Sequence, residues 1–360
     1  MTADAALIAT LPKVALHDHL DGGLRPATML ELADEVGHRL PATDAAGLAD
    51  WFHRAASSGS LERYLATFVH TVACMQTPDH LRRVAREWVL DLAADGVVYG
   101  EARWAPEQHR AAGLTPAAAV AAVAEGLREG MAEAAASGRP MIARQLVSSL
   151  RHRPASSAVA ELAISGADQL VAGFDLAGPE DGYPATDHHV TFAHLADHWV
   201  PVTIHAGEAA GVASIAGALH QGALRLGHGA RLVDDIAAEG DGFRLGPVAT
   251  WVRDRRIPLE LSPSSNLQTG VCATIGEHPF GLLARLGFVV TVNCDNRLMS
   301  RTSLSRELGL LVDAFGYGLA DLHRFTVDAA RAAFLPHDGR ERLVTEVIDP
   351  GFAAAGLRTA

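Results

Sequence analysis

His17, Asp18 and His19 close an apolar run near the start of this 360-residue sequence. Residues two apart on a strand share a face and lie about 6 to 7 Å apart along it, so both imidazoles can reach one metal ion while Asp18 turns toward the helices. At Zn–N distances of about 2.0 to 2.1 Å, the pair would supply half of a tetrahedral set. Three later runs also end in polar residues: Thr203-Ile204-His205-Ala206-Gly207-Glu208, Leu226-Gly227-His228-Gly229 and Asn293-Cys294-Asp295-Asn296. Taken singly, each has a plain alternative. His205 and His228 fit as hydrogen-bonded core histidines, Glu208 as a carboxylate at a helix N-terminus, and Asp295 as an N-cap.

The elements that carry these residues change that balance. Short apolar or β-branched runs ended by Gly, Pro, Asp or Ser occur at Val14–Leu20, Val97–Trp104, Ala143–Leu150, Leu170–Leu176, Val200–His205, Ala223–Gly227, Ile257–Leu261 and Phe288–Cys294. Helix-period segments such as Pro116–Ser137 and Ser156–Gly166 lie between them, so right-handed βαβ units and a parallel sheet are expected. Eight such units predict an α/β fold, a closed TIM (β/α)8 barrel. Strand ends of a barrel point into one mouth, which brings His17, His19, His205 and Asp295 together whatever their separation in sequence. Three imidazoles and one carboxylate suit zinc better than the all-oxygen sites of magnesium or calcium. The one lysine, Lys13, precedes the first strand, so no lysine is available to bridge two metals, and one zinc per chain is expected. A single zinc lowers the pKa of its water to about 7, which provides a hydroxide at neutral pH.

About seventy-five residues separate the first two runs, where a barrel unit needs about thirty. The excess reads as helices over Ala27–Val36, Ala45–Arg54, Leu61–Met75 and Asp79–Ala94, an apolar lid covering about 25–95 inserted after strand one, above the C-terminal mouth. With no linker or repeat, residues 1–360 are read as one domain. Hydrophobic residues make up 49% and charged residues 20%, enough for a large core, and no uncharged apolar run of roughly eighteen residues is present to span a bilayer. The 42 acidic against 30 basic residues give a net charge of −12, with no basic stripe, which disfavours nucleic acid as a partner. Three cysteines without a CxxC pair fit a reducing cytoplasm. A P-loop or a Schiff-base enzyme would have to rely on Lys13, whose context matches neither.

The motifs HDHLDG at His17–Gly22, DLAGPE at Asp175–Glu180, HAGE at His205–Glu208, LGHG at Leu226–Gly229, SPSSNLQTG at Ser262–Gly270 and NCDN at Asn293–Asn296 run in order over nearly the whole chain. In these stretches the sequence resembles the adenosine deaminase family of zinc-dependent purine deaminases. The resemblance implies hydrolytic deamination of adenosine and 2′-deoxyadenosine, with His17, His19, His205 and Asp295 as zinc ligands. It makes Glu208 the proton donor to ring N1 and His228 the holder of the attacking hydroxide, and it places Asp21 at the ribose hydroxyls, the Gly178 backbone at ring N3 and His19 beside the substrate. Asn296 stands where many members carry a second aspartate that donates to ring N7. An amide donates without first acquiring a proton, so the contact can persist. Cys294, in a slot often holding Ser or Thr, points away from the metal as a small buried filler, and Ser262 stands where cysteine is frequent.

Three other readings stay open at the level of sequence. Free adenine, a 5′-modified adenine nucleoside such as aminodeoxyfutalosine, or an N6-substituted nucleotide are rival substrates, and Arg25, Arg54 and Arg63 are candidates for meeting a charged 5′ extension. The chain would otherwise be a non-catalytic nucleoside-binding relative, or a zinc hydrolase of esters or amides. Deaminases of the HxE and PCxxC type are excluded because neither motif occurs. The cluster His188, His189, His194 and His198 reads as solvated surface, and Arg253, Arg255 and Arg256 as a helix C-terminus.

Overall fold

A computed structural model describes residues 4–154 and 157–357. Eight parallel strands follow one another around a barrel: β1 (Lys13–His19), β2 (Val97–Trp104), β3 (Ile142–Leu150), β4 (Val171–Ala177), β5 (Val202–Ala206), β6 (Arg225–His228), β7 (Leu259–Leu261) and β8 (Val290–Val292). These are the eight expected runs, shifted by one or two residues at most starts. Pro201 and Pro258 explain two of the shifts: lacking an N–H, they serve the sheet only through their carbonyls, which accept from Phe174 and Leu226. The ring closes between β1 and the residues just after β8. His19 N–H donates to Asp295 O at 2.7 Å, Asp295 N–H donates to His17 O at 3.0 Å, and the Asn293 side chain accepts from the backbones of Leu16 and His17.

Alternation along β1 works as the sequence implies. His17 and His19 face the interior, whereas Asp18 turns outward and accepts from Trp88 Nε1 at 2.7 Å and from Arg297 Nε. Trp88 belongs to the long helix Pro78–Ala94, which Thr77 caps by accepting from His80 N–H. The helix expected at Ser156–Gly166 is observed as Ser157–Ser165, and Ser156 itself lies outside the described residues.

Between β1 and β2 the chain builds the expected helical layer: Pro26–Val36, Ala45–Ala56, Leu61–Leu65, Phe68–Ala73 and Pro78–Ala94. The single helix read over Leu61–Met75 is corrected to two. Thr67 interrupts it, its hydroxyl and its N–H both directed to the Tyr64 carbonyl, a local bond that competes with the regular ladder. The eight runs also omitted an exposed antiparallel hairpin, Ile236–Glu239 with Gly242–Leu245, whose Glu239↔Gly242 pair flanks the two-residue loop Gly240-Asp241. That Gly-Asp signal was present in the sequence. No helix among the described residues is long and apolar enough to cross a membrane.

Candidate active site

Strand ends deliver the side chains to one point. Asp295 Oδ1 lies 3.2 Å from His17 Nε2 and 3.3 Å from His19 Nε2, and His19 Nε2 lies 3.2 Å from His205 Nε2. Donor atoms of His17, His205, His228 and Asp295 all fall within 4.8 Å of one another. The four expected ligands therefore meet, and His228 joins them as a fifth potential donor. Both His228 and Asp295 hold φ near +60°, a conformation non-glycine residues adopt sparingly, and it turns each side chain into the mouth. Gly227 leaves the room: a Cβ there would come within 3.0 Å of the His205 backbone and 3.2 Å of its ring.

The far side of each ring decides what faces the centre. His17 Nδ1 lies 3.1 Å from Glu260 Oε2, and His205 Nδ1 lies 3.0 Å from Asp175 Oδ1 and 3.1 Å from Leu176 O. Those partners only accept, so each ring carries its hydrogen on Nδ1 and turns an Nε2 lone pair inward. His17 Nε2 is buried with no hydrogen-bond partner. The inward lone pairs of His17 and His205 and the Asp295 carboxylate fit a cation, so the residues present can hold a metal.

Glu260 and Asp175 belong to a wholly buried ionic layer. Arg103 reaches Glu260 at 2.8 Å and Asp175 at 3.6 Å, while Arg225 binds Glu260 through Nε at 2.6 Å and also grips Glu101. Against the upward push of burial, Arg103 and Arg225 hold the Glu260 carboxyl well below the usual carboxylate range. Asp295 is likewise held low against burial, by its close approach to His17 and the neighbouring imidazoles.

Glu208 behaves in the opposite way. Burial, then the charges of Asp295 and Glu180, raise its pKa well above the ordinary value. Its Oε2 lies 3.4 Å from His228 Nε2 and its Oε1 has no partner. The loop that carries it is fixed by Glu180, whose carboxylate accepts backbone N–H bonds from Gly207, Glu208, Ala209 and Ala210 at 2.6 to 3.0 Å. Sequence reasoning quoted Asp175, Glu180, Ser265 and Asn266 within motifs without assigning them a task, and it passed over Glu260 and Arg103; the Ser265 hydroxyl donates to Asp295 Oδ2 at 2.6 Å. Charged residues inside apolar strand runs were the available signal.

A cavity of about 530 Å³ opens above this centre. His19, Asp21, Gly178, His205, Glu208, His228, Asp295 and Asn296 line its floor, and Leu61, Tyr64, Phe68, Val69 and Val72 from the inserted helices roof it. Asp21 is buried with Oδ1 unpartnered, and burial together with Asp295 raises its pKa to about 7. Asn296 is buried with Oδ1 unpartnered, packed so tightly on Gly22 that a Cβ there would overlap its amide. Gly178 needs its φ of +101° to enter the cavity wall. Cys294 is buried and outside the donor group, as expected.

Some expectations are corrected. Arg25 pairs with Asp91, and Arg54 and Arg63 are exposed; none lines the cavity, whose arginine is Arg153, beside His152. In the cluster read as solvated surface, His188 is buried with Nε2 3.1 Å from Arg151 O, and His194 pairs with Glu161 at 2.7 Å.

The family model described as adenosine deaminase matches residues 12–350. A protein named adenosine deaminase from Mycobacterium bovis is 56% identical over 98% of this chain and 98% of its own length, and its Mycobacterium leprae counterpart is 56% identical over 96% of each. Among solved structures, an Arabidopsis N6-mAMP deaminase superposes with a TM-score of 0.81 at 25% identity, over 96% of this chain and 99% of that one. Matched across nearly its whole length, the chain belongs to the adenosine deaminase family, hydrolases that act on C–N bonds.

Proposed function

We propose that the whole chain works as one lidded barrel domain that deaminates adenosine and 2′-deoxyadenosine, adding water at purine C6 and releasing ammonia, with one zinc held by His17, His19, His205 and Asp295. The observation that carries the reading is the buried Glu208 carboxyl, its pKa raised and its Oε1 unpartnered, beside converging imidazole lone pairs on the floor of an apolar cavity. Zinc, when bound, supplies a Lewis acid that makes water nucleophilic near neutral pH. The remaining work falls to the chain. Glu208, kept protonated by burial, gives its proton to ring N1, which draws electrons away from C6 and opens that carbon to attack. His228 holds the attacking oxygen. The Gly178 N–H meets ring N3, Asn296 donates its amide to N7, and Asp21 receives the ribose hydroxyls. The lid helices exclude water, which strengthens each of these contacts. Three free cysteines suit a reducing cytoplasm.

A nucleotide substrate is the second reading, favoured by Arg153 and His152 on the cavity wall, the side chains that could meet a phosphate. Ammonia or amine release from adenosine, deoxyadenosine, adenine, a 5′-thioadenosine and N6-methyl-AMP separates them. Fastest turnover on the two nucleosides, about one zinc per chain by metal analysis, and activity lost on chelation and restored by zinc support the proposal. A folded, metal-free protein inactive on every substrate would make it a binder.

A further inference from the structure

His228 stands among the metal donors with two incompatible tasks open to it. A neutral imidazole Nε2 either offers a lone pair to a cation or donates a hydrogen to an oxygen in front of it. The opposite ring nitrogen settles which. Asn266 Nδ2 lies 3.0 Å from His228 Nδ1. The amide cannot be turned round, because its Oδ1 already accepts from the Ser262 N–H at 3.4 Å and lies 3.1 Å from His278 Nε2. His278 is fixed in turn: the Phe280 N–H donates to its Nδ1 at 3.0 Å, which leaves the ring hydrogen on Nε2, directed at Asn266. All of these polar groups are buried, and Ser262, Asn266, His228 and His278 are each at most 2% exposed. The chain of donors and acceptors therefore has one consistent direction, from the Phe280 backbone to the active centre.

We infer that Asn266, braced by His278, is a positioning residue that fixes His228 as the Nε2–H tautomer, so that His228 donates to the attacking oxygen instead of entering the metal's ligand set. The short helix Pro263–Gln268 sets the amide in place, with Asn266 N–H bonded to Ser262 O at 2.9 Å. The approach of His228 Nε2 to Glu208 Oε2 at 3.4 Å agrees, since a hydrogen on that nitrogen faces an oxygen. What the donated hydrogen does for catalysis rests on the deaminase reading above; the tautomer itself does not.

The test compares wild type with Asn266→Asp, which replaces the donor by a second acceptor facing Nδ1. In the zinc-free proteins, 15N spectra of labelled histidine, with His228 assigned from His228→Asn, are expected to show Nε2–H in wild type and Nδ1–H in the variant. In the zinc-loaded enzymes, kcat is expected to fall about 100-fold with KM within threefold and zinc content unchanged. His278→Phe, which removes one brace from the amide and leaves Asn266 in place, should lower kcat less, and it carries the kinetic question if the first variant does not fold. An Nδ1–H signal in wild type, or an Asn266→Asp kcat within threefold of wild type, overturns the inference. Wild-type enzyme inactive on adenosine would sink the deaminase reading alone, with the spectra still deciding the tautomer.

Discussion

At the mouth of the barrel, His17 Nε2, Asp21 Oδ1, Glu208 Oε1 and Asn296 Oδ1 are buried with no hydrogen-bond partner. Toward the floor of the same barrel Arg225 and Lys13 are fully engaged, while Arg103 keeps Nε and Nη1 without a hydrogen bond. Arg225 binds Glu260, Glu101 and the Ala332 carbonyl and lies 3.6 Å above the Phe334 ring, and Lys13 donates to the carbonyls of Ala9, Leu11 and Asp95. An unpartnered buried polar group costs stability, and four gathered at one mouth call for a reason. The upper layer gathers the groups that the proposed function assigns to a cation and a substrate, and the lower layer is the mount that aims them.

That contrast can be broken. Glu208→Gln removes an unfilled carboxyl from the upper layer, so kcat should fall by about 10²- to 10⁴-fold while thermal unfolding of the free protein stays level or rises. A large fall in melting temperature would place Glu208 with the mount. Arg225→Met strikes the lower layer, strands Glu101 without its cation and leaves Glu260 with Arg103 alone. A loss of about 3–5 kcal/mol in denaturant unfolding is expected, with a smaller change in turnover of the folded fraction. A stability within 1 kcal/mol of wild type, on the order of a surface change, would deny the layer its structural part.

Lys13 sharpens the comparison through pH. Burial lowers its pKa from 10.5 to about 8, against the pull of Asp95. The unfolded chain therefore binds more protons between those values, and stability linked to Lys13 rises with pH across that window and is flat below it. Relative to Lys13→Met, wild type should gain up to roughly 3 kcal/mol between pH 8 and 10.5, at 1.36 kcal/mol per pKa unit, as read from paired urea titrations. A difference that is constant with pH would show that folding leaves the Lys13 pKa unshifted. Glu260→Gln touches both layers, since the same carboxylate serves His17, Arg103 and Arg225. It leaves His17 a weaker acceptor at Nδ1, so zinc affinity should drop about 10- to 100-fold by competition with a chelator.

The upper layer was largely legible in the sequence, because barrel geometry sends strand ends to one place. His17, His19, His205 and Asp295 needed no knowledge of pairing, only of where each strand stops. Glu260, Arg103 and Arg225 were not legible for the converse reason. A charge inside an apolar run announces burial, but its partner is set by strand order and register, and Arg225 meets Glu101 from 124 residues away. Asn266 was hidden in another way. Its motif was plain, but the direction of an amide depends on the backbone N–H of Ser262 and on His278, contacts made within a short helix and the loop that follows. The split at Thr67 turned on one hydroxyl, which periodicity does not weigh.

Closure between β1 and the segment after β8 has a consequence for how the metal is gained. The first and last strands of the ring contribute His17, His19 and Asp295, and the same residues carry the backbone bonds that zip the seam. An ion gripped there is a clasp between the two ends of the sheet. On the proposed ligand set it has no complete berth until the final strand has been synthesised and docked.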